Sequence, residues 1–195
     1  MWTFSADNDS QRNRVEAEAV RDWLAGRAGC TAVQIGGCGH NCLPDARFLD
    51  TYCLDTHGDG VDVCSELAAL PLMSEKVDLL VMMHSMDRHG ARNEWMSEAA
   101  RVLRPEGQLI VVGRYLWPNT WLRPGKMPLG ALALRGLVLR HGLQWEGIRR
   151  LKPLSGTYVA SARRRMFGVR PLTPNWRRKR ASSRSLEVPG AGRAG

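Results

Sequence analysis

Apolar residues fall into two patterns along this chain. Val77–Met83 (VDLLVMM) and Gln108–Val112 (QLIVV) are near-continuous apolar runs, as in strands buried on both faces. Between them, Ala91–Leu103 repeats apolar residues at helical spacing. Trp95, Ala99, Val102 and Leu103 share one face, with Arg92, Glu98 and Arg101 on the other. Pro105-Glu106-Gly107 is read as the turn that closes the helix. Strand, helix and strand in that order predict a right-handed parallel crossover.

Upstream, Gln11–Ala28 reads as a helix with a narrow apolar face of Val15, Ala19, Val20 and Trp23, preceded by an irregular Met1–Ser10. Thr31–Ile35 is a short strand that runs into Gly36, Gly37 and Gly39. Pro44 can open at most a short helix within Asn41–Asp50. Thr51–Asp55 and Val61–Cys64 read as brief strands around a His57-Gly58-Asp59-Gly60 turn. Downstream, Arg114–Lys126 reads as an irregular loop or lid, and Pro128–Leu139 as an apolar helix. Gln144–Leu151 and Gly156–Ala162 are two final strands joined by a Lys152–Ser155 turn. Strands alternating with helices predict an α/β, Rossmann-like, mostly parallel sheet with shortened or missing early helices. One domain, residues 11–167, is expected between a disordered 1–10 and a basic, disordered 168–195.

Charge sharpens that boundary. The net charge is +9, and residues 161–195 account for all of it, with ten basic residues against the single acid Glu187. The body of the chain is therefore neutral. Residues 163–184 hold a basic run with Trp176 embedded in it, which suits weak, salt-sensitive nucleic-acid contact or simple solubilisation. Arginine outnumbers lysine 24 to 4, which favours a GC-rich, bacterial coding sequence. No apolar run approaches the roughly 20 residues that span a bilayer. The N-terminus lacks the apolar centre of a signal peptide, so a cytoplasmic location is expected. All five cysteines lie before position 65, and their odd number points to reduced thiols.

Family resemblance rests on Leu70-Pro71-Leu72, Val77-Asp78-Leu79-Leu80, His84 and Ala99–Leu109 (AARVLRPEGQL). This order resembles class I S-adenosylmethionine-dependent methyltransferases of the type 11 kind. In that family a leucine-proline-aromatic loop precedes strand four, and an arginine-valine-leucine-lysine-proline-glycine-glycine run enters strand five. Here Glu106 replaces the first of those two glycines. The tail after the last strand (VASARRRMFGVRPLTP) also resembles a small proteobacterial subgroup. The likeness covers about residues 31–165 and is more specific in its second half.

The resemblance implies S-adenosylmethionine as cofactor and assigns candidate contacts. Gly36, Gly37 and Gly39 would form the turn that approaches the cofactor backbone to backbone. Asn41 would take the third glycine position, being tolerant of positive φ. Asp55 would bind the ribose and Glu66 the adenine. His84 and Trp117 are candidates for the substrate side. The usual acid before the glycines is absent, its position being held by Ile35 or Gln34 depending on which glycine is counted first. About 25 residues separate Gly37 from Val61, short for two crossovers of at least 10–12 residues each.

Each assignment has a plainer reading. The glycines also suit a tight turn, Asp55 and Glu66 solvated loop acids, and His84 a structural histidine. Cys38, His40, Cys42, Cys53 and His57 cluster in sequence but lack paired C-x₂-C spacing, so buried thiols are expected and no metal. Two functions follow: a methyltransferase acting on an unidentified acceptor, or a non-catalytic scaffold of that fold whose basic tail binds nucleic acid or an acidic partner.

Overall fold

The computed structural model describes residues 4–37, 40–43, 47–56, 60–87, 90–115, 129–151 and 156–165. Seven strands form one sheet in the order β3-β2-β1-β4-β5-β7-β6. They are β1 (Gly29–Ile35), β2 (Phe48–Asp55), β3 (Val63–Cys64), β4 (Val77–Met83), β5 (Leu103–Arg114), β6 (Leu143–Arg150) and β7 (Thr157–Arg164). β1 through β5 pair in parallel, and β7 runs antiparallel to both β5 and β6. The apolar runs at β4 and β5 are the sheet's buried centre, and every residue of β4 is buried.

Helices sandwich the sheet. On one face α1 (Phe4–Leu24) packs Ala17, Val20 and Leu24 against Ala32, Leu79, Val81, Ile110 and Val112. On the other, α2 (Arg92–Val102) and α3 (Ala131–Arg140) pack Met96, Ala99, Leu134 and Val138 against Val33, Leu80, Leu109 and Tyr158. No helix of the described residues is long and apolar enough to cross a membrane.

Several boundaries differ from the sequence reading. α1 begins at Phe4, so residues 4–10 are helical and not irregular. Apolar periodicity marks only the packed part of a helix; once that part is nucleated, each further residue adds a backbone hydrogen bond. Its buried face is Ala17, Val20 and Leu24 together with Glu16, whereas Val15 is exposed. β2 starts at Phe48, which pairs with Gly29, where a Cβ would stand 2.8 Å from the Phe48 ring. The Arg-Pro-Glu-Gly segment does not end a helix before a separate strand. It is a bulge inside β5, where the register to β4 jumps from Val77↔Leu103 to Leu79↔Gln108. Glu106 takes a φ of 65° in that bulge, which explains why glycine suits the position.

The early crossovers are short, as the spacing suggests. Among the described residues no α-helix lies between β1 and β2 or between β2 and β3. β2 and β3 are joined by residues 56–62 alone. Hydrogen bonds from Asp62 N to the Cys53 carbonyl (2.8 Å) and from Cys53 N to the Asp62 carboxylate (2.7 Å) tighten that link. The Lys152–Ser155 turn, the 168–195 tail and most of the 114–126 loop lie outside the described residues.

An ion pair fixes the leucine-proline loop to α2. Glu98 accepts the Leu70 N–H (2.9 Å) and both Arg101 Nε and Nη2 (2.7 and 2.8 Å). Arg101 in turn donates to the Leu72 carbonyl (2.9 Å) and the Leu70 carbonyl (3.1 Å). The Arg101 hydrogen bonds hold the Glu98 carboxyl below its ordinary value despite partial burial. Glu98→Ala is expected to lower stability by about 1–3 kcal/mol, the worth of charged hydrogen bonds plus one orphaned N–H. Urea unfolding of the variant at neutral pH measures this; a change within error would remove the loop's anchor from the fold's stabilising contacts.

Candidate active site at the carboxyl rim of the sheet

Parallel sheets bind ligands beyond the carboxyl ends of their strands, where the strand order reverses. Here that point falls between β1 and β4. The chain leaves β1 through Gly36 and Gly37, whose φ values are 80° and 98°. A Cβ on Gly36 would come within 2.5 Å of the Met83 carbonyl and 3.0 Å of Ser85 Oγ. Glycine is therefore required there by the close approach of the turn to the end of β4.

Gln34 organises this turn. It is fully buried, and its Nε2 donates to the carbonyls of Gly36 (2.9 Å) and His40 (2.8 Å). Its Oε1 accepts the Cys42 N–H (2.7 Å). An amide both donates and accepts, so Gln34 ties the loop across its width, something a carboxylate cannot do at a carbonyl. Asn41 is not in the left-handed region; its Oδ1 accepts the Leu43 N–H (2.8 Å), and its carbonyl is held by Arg21 of α1. Burial pushes the Cys42 thiol up to about 12 and the Cys53 thiol up to about 11, so both are protonated, unreactive core groups. Among the described residues no three His, Cys, Asp or Glu side chains gather as a metal site.

The predicted cofactor positions converge. Gly36 N donates to the Leu54 carbonyl (2.8 Å), which sets Asp55 beside the glycine turn. Asp55 is buried at the end of β2, and its Oδ1 accepts the Thr56 N–H (2.7 Å). Ser65 N donates to the Asp55 carbonyl (3.0 Å), so the exposed Glu66 follows directly on the same rim. Gly39 and Trp117 lie outside the described residues.

His84 is brought to the rim but is enclosed on both sides. It sits past the end of β4 with φ 54°, a strained left-handed conformation for a non-glycine residue. Its Nδ1 is 2.9 Å from Asp87 Oδ2 and its Nε2 is 2.5 Å from Glu16 Oε2. Glu16 also accepts from Thr157 Oγ1 (2.6 Å), and Asp87 from the Arg114 N–H (3.1 Å). The ring thus joins α1, the turn after β4, β5 and β7. With both nitrogens engaged it is a positioning group and not a free base. The sequence reading names Gln34 only as a position where the usual acid is absent, and it does not single out Glu16, Asp87 or Thr157. The signal for Glu16 was present: it precedes Val20 and Leu24 at helical spacing and so lies on the buried face.

Comparison with known proteins agrees with this fold. Residues 40–111 match the methyltransferase domain family, a span that starts just after the glycine turn and includes Asp55, Glu66 and His84. A chain of the Haloferax volcanii complex of the Trm112 methyltransferase activator with a candidate methyltransferase superposes with TM-score 0.66 at 15% identity, covering 83% of this chain and 96% of that one. Geranyl diphosphate C-methyltransferase from Streptomyces coelicolor A3(2), solved with Mg2+, geranyl diphosphate and S-adenosyl-L-homocysteine, gives 0.62 at 14% identity, covering 77% and 80%. A SAM-dependent methyltransferase from Aquifex aeolicus gives 0.63 at 13%, covering 83% and 100%. No curated protein matches the chain. The fold is that of the class I S-adenosylmethionine-dependent methyltransferases.

Burial disfavours the charged His84 ring, but hydrogen bonds and charge from Asp87 and Glu16 outweigh it and raise its pKa. The stability this gives is fully present below the unfolded pKa of about 6.5 and is lost as pH rises through the elevated folded value. His84→Gln is expected to cost about 3–5 kcal/mol at low pH, because two buried carboxylates lose their cation. The variant should also flatten the decline in stability on the alkaline side. Urea midpoints across that range test both; an unchanged slope in the variant would show that the ring is not the titrating group.

Proposed function

We propose that this protein is an S-adenosylmethionine-dependent methyltransferase acting on an acceptor not yet identified. The observation that carries the reading is the convergence of the Gly36–Gly37 turn, Asp55 and Glu66 on one rim at the reversal of strand order. In this reading the turn holds the methionine portion, Asp55 the ribose hydroxyls and Glu66 the adenine face. The cofactor supplies an activated methyl group on its sulfonium. The chain supplies position: the rim holds donor and acceptor in line, which by itself lowers a transfer barrier substantially. The titration that tests it is calorimetry with S-adenosylhomocysteine. Binding is expected, with affinity falling about tenfold or more in Asp55→Ala, the loss of a charge-assisted hydrogen-bond pair. No heat with millimolar ligand would end the enzyme reading.

A second reading is a scaffold that has lost cofactor binding. It draws on the short link between β2 and β3, which leaves the adenosine side of the rim with little chain around it. In that reading the basic segment 163–184 engages nucleic acid or an acidic partner. Its first two arginines are already occupied: Arg163 Nε pairs with Glu146 (2.7 Å) and Arg164 Nη2 with Glu75 (2.7 Å). Contact would therefore start at Arg165. Removing residues 166–195 is expected to abolish salt-sensitive binding of a single-stranded oligonucleotide in an anisotropy assay. Binding that persists in the truncated chain would remove the tail from consideration.

A further inference from the structure

Beyond β4 the rim continues through the ends of β5, β7 and β6. The register pairs Gly113 with Tyr158, Arg114 with Thr157, and Arg150 with Tyr158, so these residues stand side by side at one end of the sheet. Tyr115 packs edge-on against Tyr158, with ring centroids 5.3 Å apart, and the Arg150 guanidinium lies 5.3 Å from the Tyr115 ring. This is the half of the rim that the cofactor assignment leaves free for an acceptor.

Its charge balance is unusual. Arg114 is half-buried, its Nε is enclosed without a hydrogen-bond partner, and its guanidinium forms no ion pair among the described residues. The two nearby carboxylates are committed elsewhere, Glu16 and Asp87 both to His84. The connecting segments add none: residues 88–89, 116–128 and 152–155 contain Arg88, Arg123, Lys126 and Lys152 and no Asp or Glu. On the cofactor half the segments after β1 and β2 carry Asp45, Asp59 and Asp62, and Glu66 follows β3. The acidic half suits a sulfonium cofactor. Among the described residues the cationic half shows no counter-ion for Arg114.

We propose that Arg114 binds an anionic group of the methyl acceptor, a carboxylate or a phosphate, with Tyr115 and Arg150 at the entrance. The proposal rests on the methyltransferase reading for the word acceptor. A partly buried guanidinium without an anion is costly, and a bound carboxylate or phosphate relieves that cost through the paired N–H donors of the fork. Arg114 directly follows Gly113 at the end of β5. The same rim position is reached from β4 through the His84 N–H, which donates to the Val112 carbonyl (2.9 Å). An anion held here leaves the rest of the acceptor facing the glycine turn.

The test uses the full chain, labelled with ¹⁵N and saturated with S-adenosylhomocysteine, at constant ionic strength set by chloride. The amide resonances of Gly113 and Tyr115 are followed while inorganic phosphate, and separately acetate, is added. Saturating shifts with at least one of the two are expected at millimolar concentration, and the one that saturates identifies the anion. Arg114→Gln should weaken the affinity about tenfold or more, and Arg114→Lys, which keeps the charge but loses the fork, should fall between. Resonances that move with neither anion, or equal affinity in Arg114→Gln, would overturn the assignment. If S-adenosylhomocysteine does not bind, the methyltransferase reading fails on its own; the same anion titration without it still decides whether Arg114 is an anion site.

Discussion

The Glu16 carboxylate is fully buried on a helix that, among the described residues, is the only one packed on its face of the sheet. A charge in that position is tolerable only if it is paired and hydrogen-bonded. His84 and Thr157 meet that need, and Asp87 holds the imidazole from the other side. Three elements that hold the rim in place, α1, the turn after β4 and the start of β7, are therefore fixed by one electrostatic requirement. The left-handed backbone at His84 is part of the same arrangement, since the hydrogen bonds at both ring nitrogens offset its strain.

α1 also stands in for chain that the early crossovers lack. With no α-helix described between β1 and β2, Val20 and Leu24 cover Ala32 and its neighbours from a helix that precedes the sheet in sequence. Arg21 reaches the Asn41 carbonyl, and Arg27 donates to Gln108 (2.6 Å) at the opposite end. The C-terminal turn of the helix and the segment just after it are thus tied to the loop after β1 and to β5. The loop after β1 rests on this support and on Gln34.

Legibility in the sequence followed the range of the interactions. The central strands and α2 were readable because burial on both faces, or on one helical face, repeats along the chain. Convergence of Gly36, Asp55 and Glu66 was readable only through the family resemblance, since nothing local links residues that far apart. Clusters joining distant segments left weaker traces. Glu16 and His84 are 68 residues apart and Glu16 and Thr157 are 141 apart. One clue is local: Glu16 stands at helical spacing from Val20 and Leu24 and so shares their buried face. The bulge at Pro105–Gly107 was hidden for a different reason: proline and glycine signal a break in direction, and a bulge satisfies that signal without ending the strand.

The His84 clasp and the lone Arg114 are two sides of one charge balance. Asp87 accepts the backbone N–H of Arg114 while its carboxylate charge is spent on the imidazole. Were His84 neutral or absent, Asp87 and Glu16 would be the natural partners for the neighbouring guanidinium, and the cationic half of the rim would close on itself. The His84 ring, held between the two carboxylates, keeps both engaged and so leaves Arg114 available. The same group that anchors α1 thereby sets the charge offered to whatever enters beside β5. Fold stability and ligand preference are coupled at that ring, and they should respond together when it loses its proton.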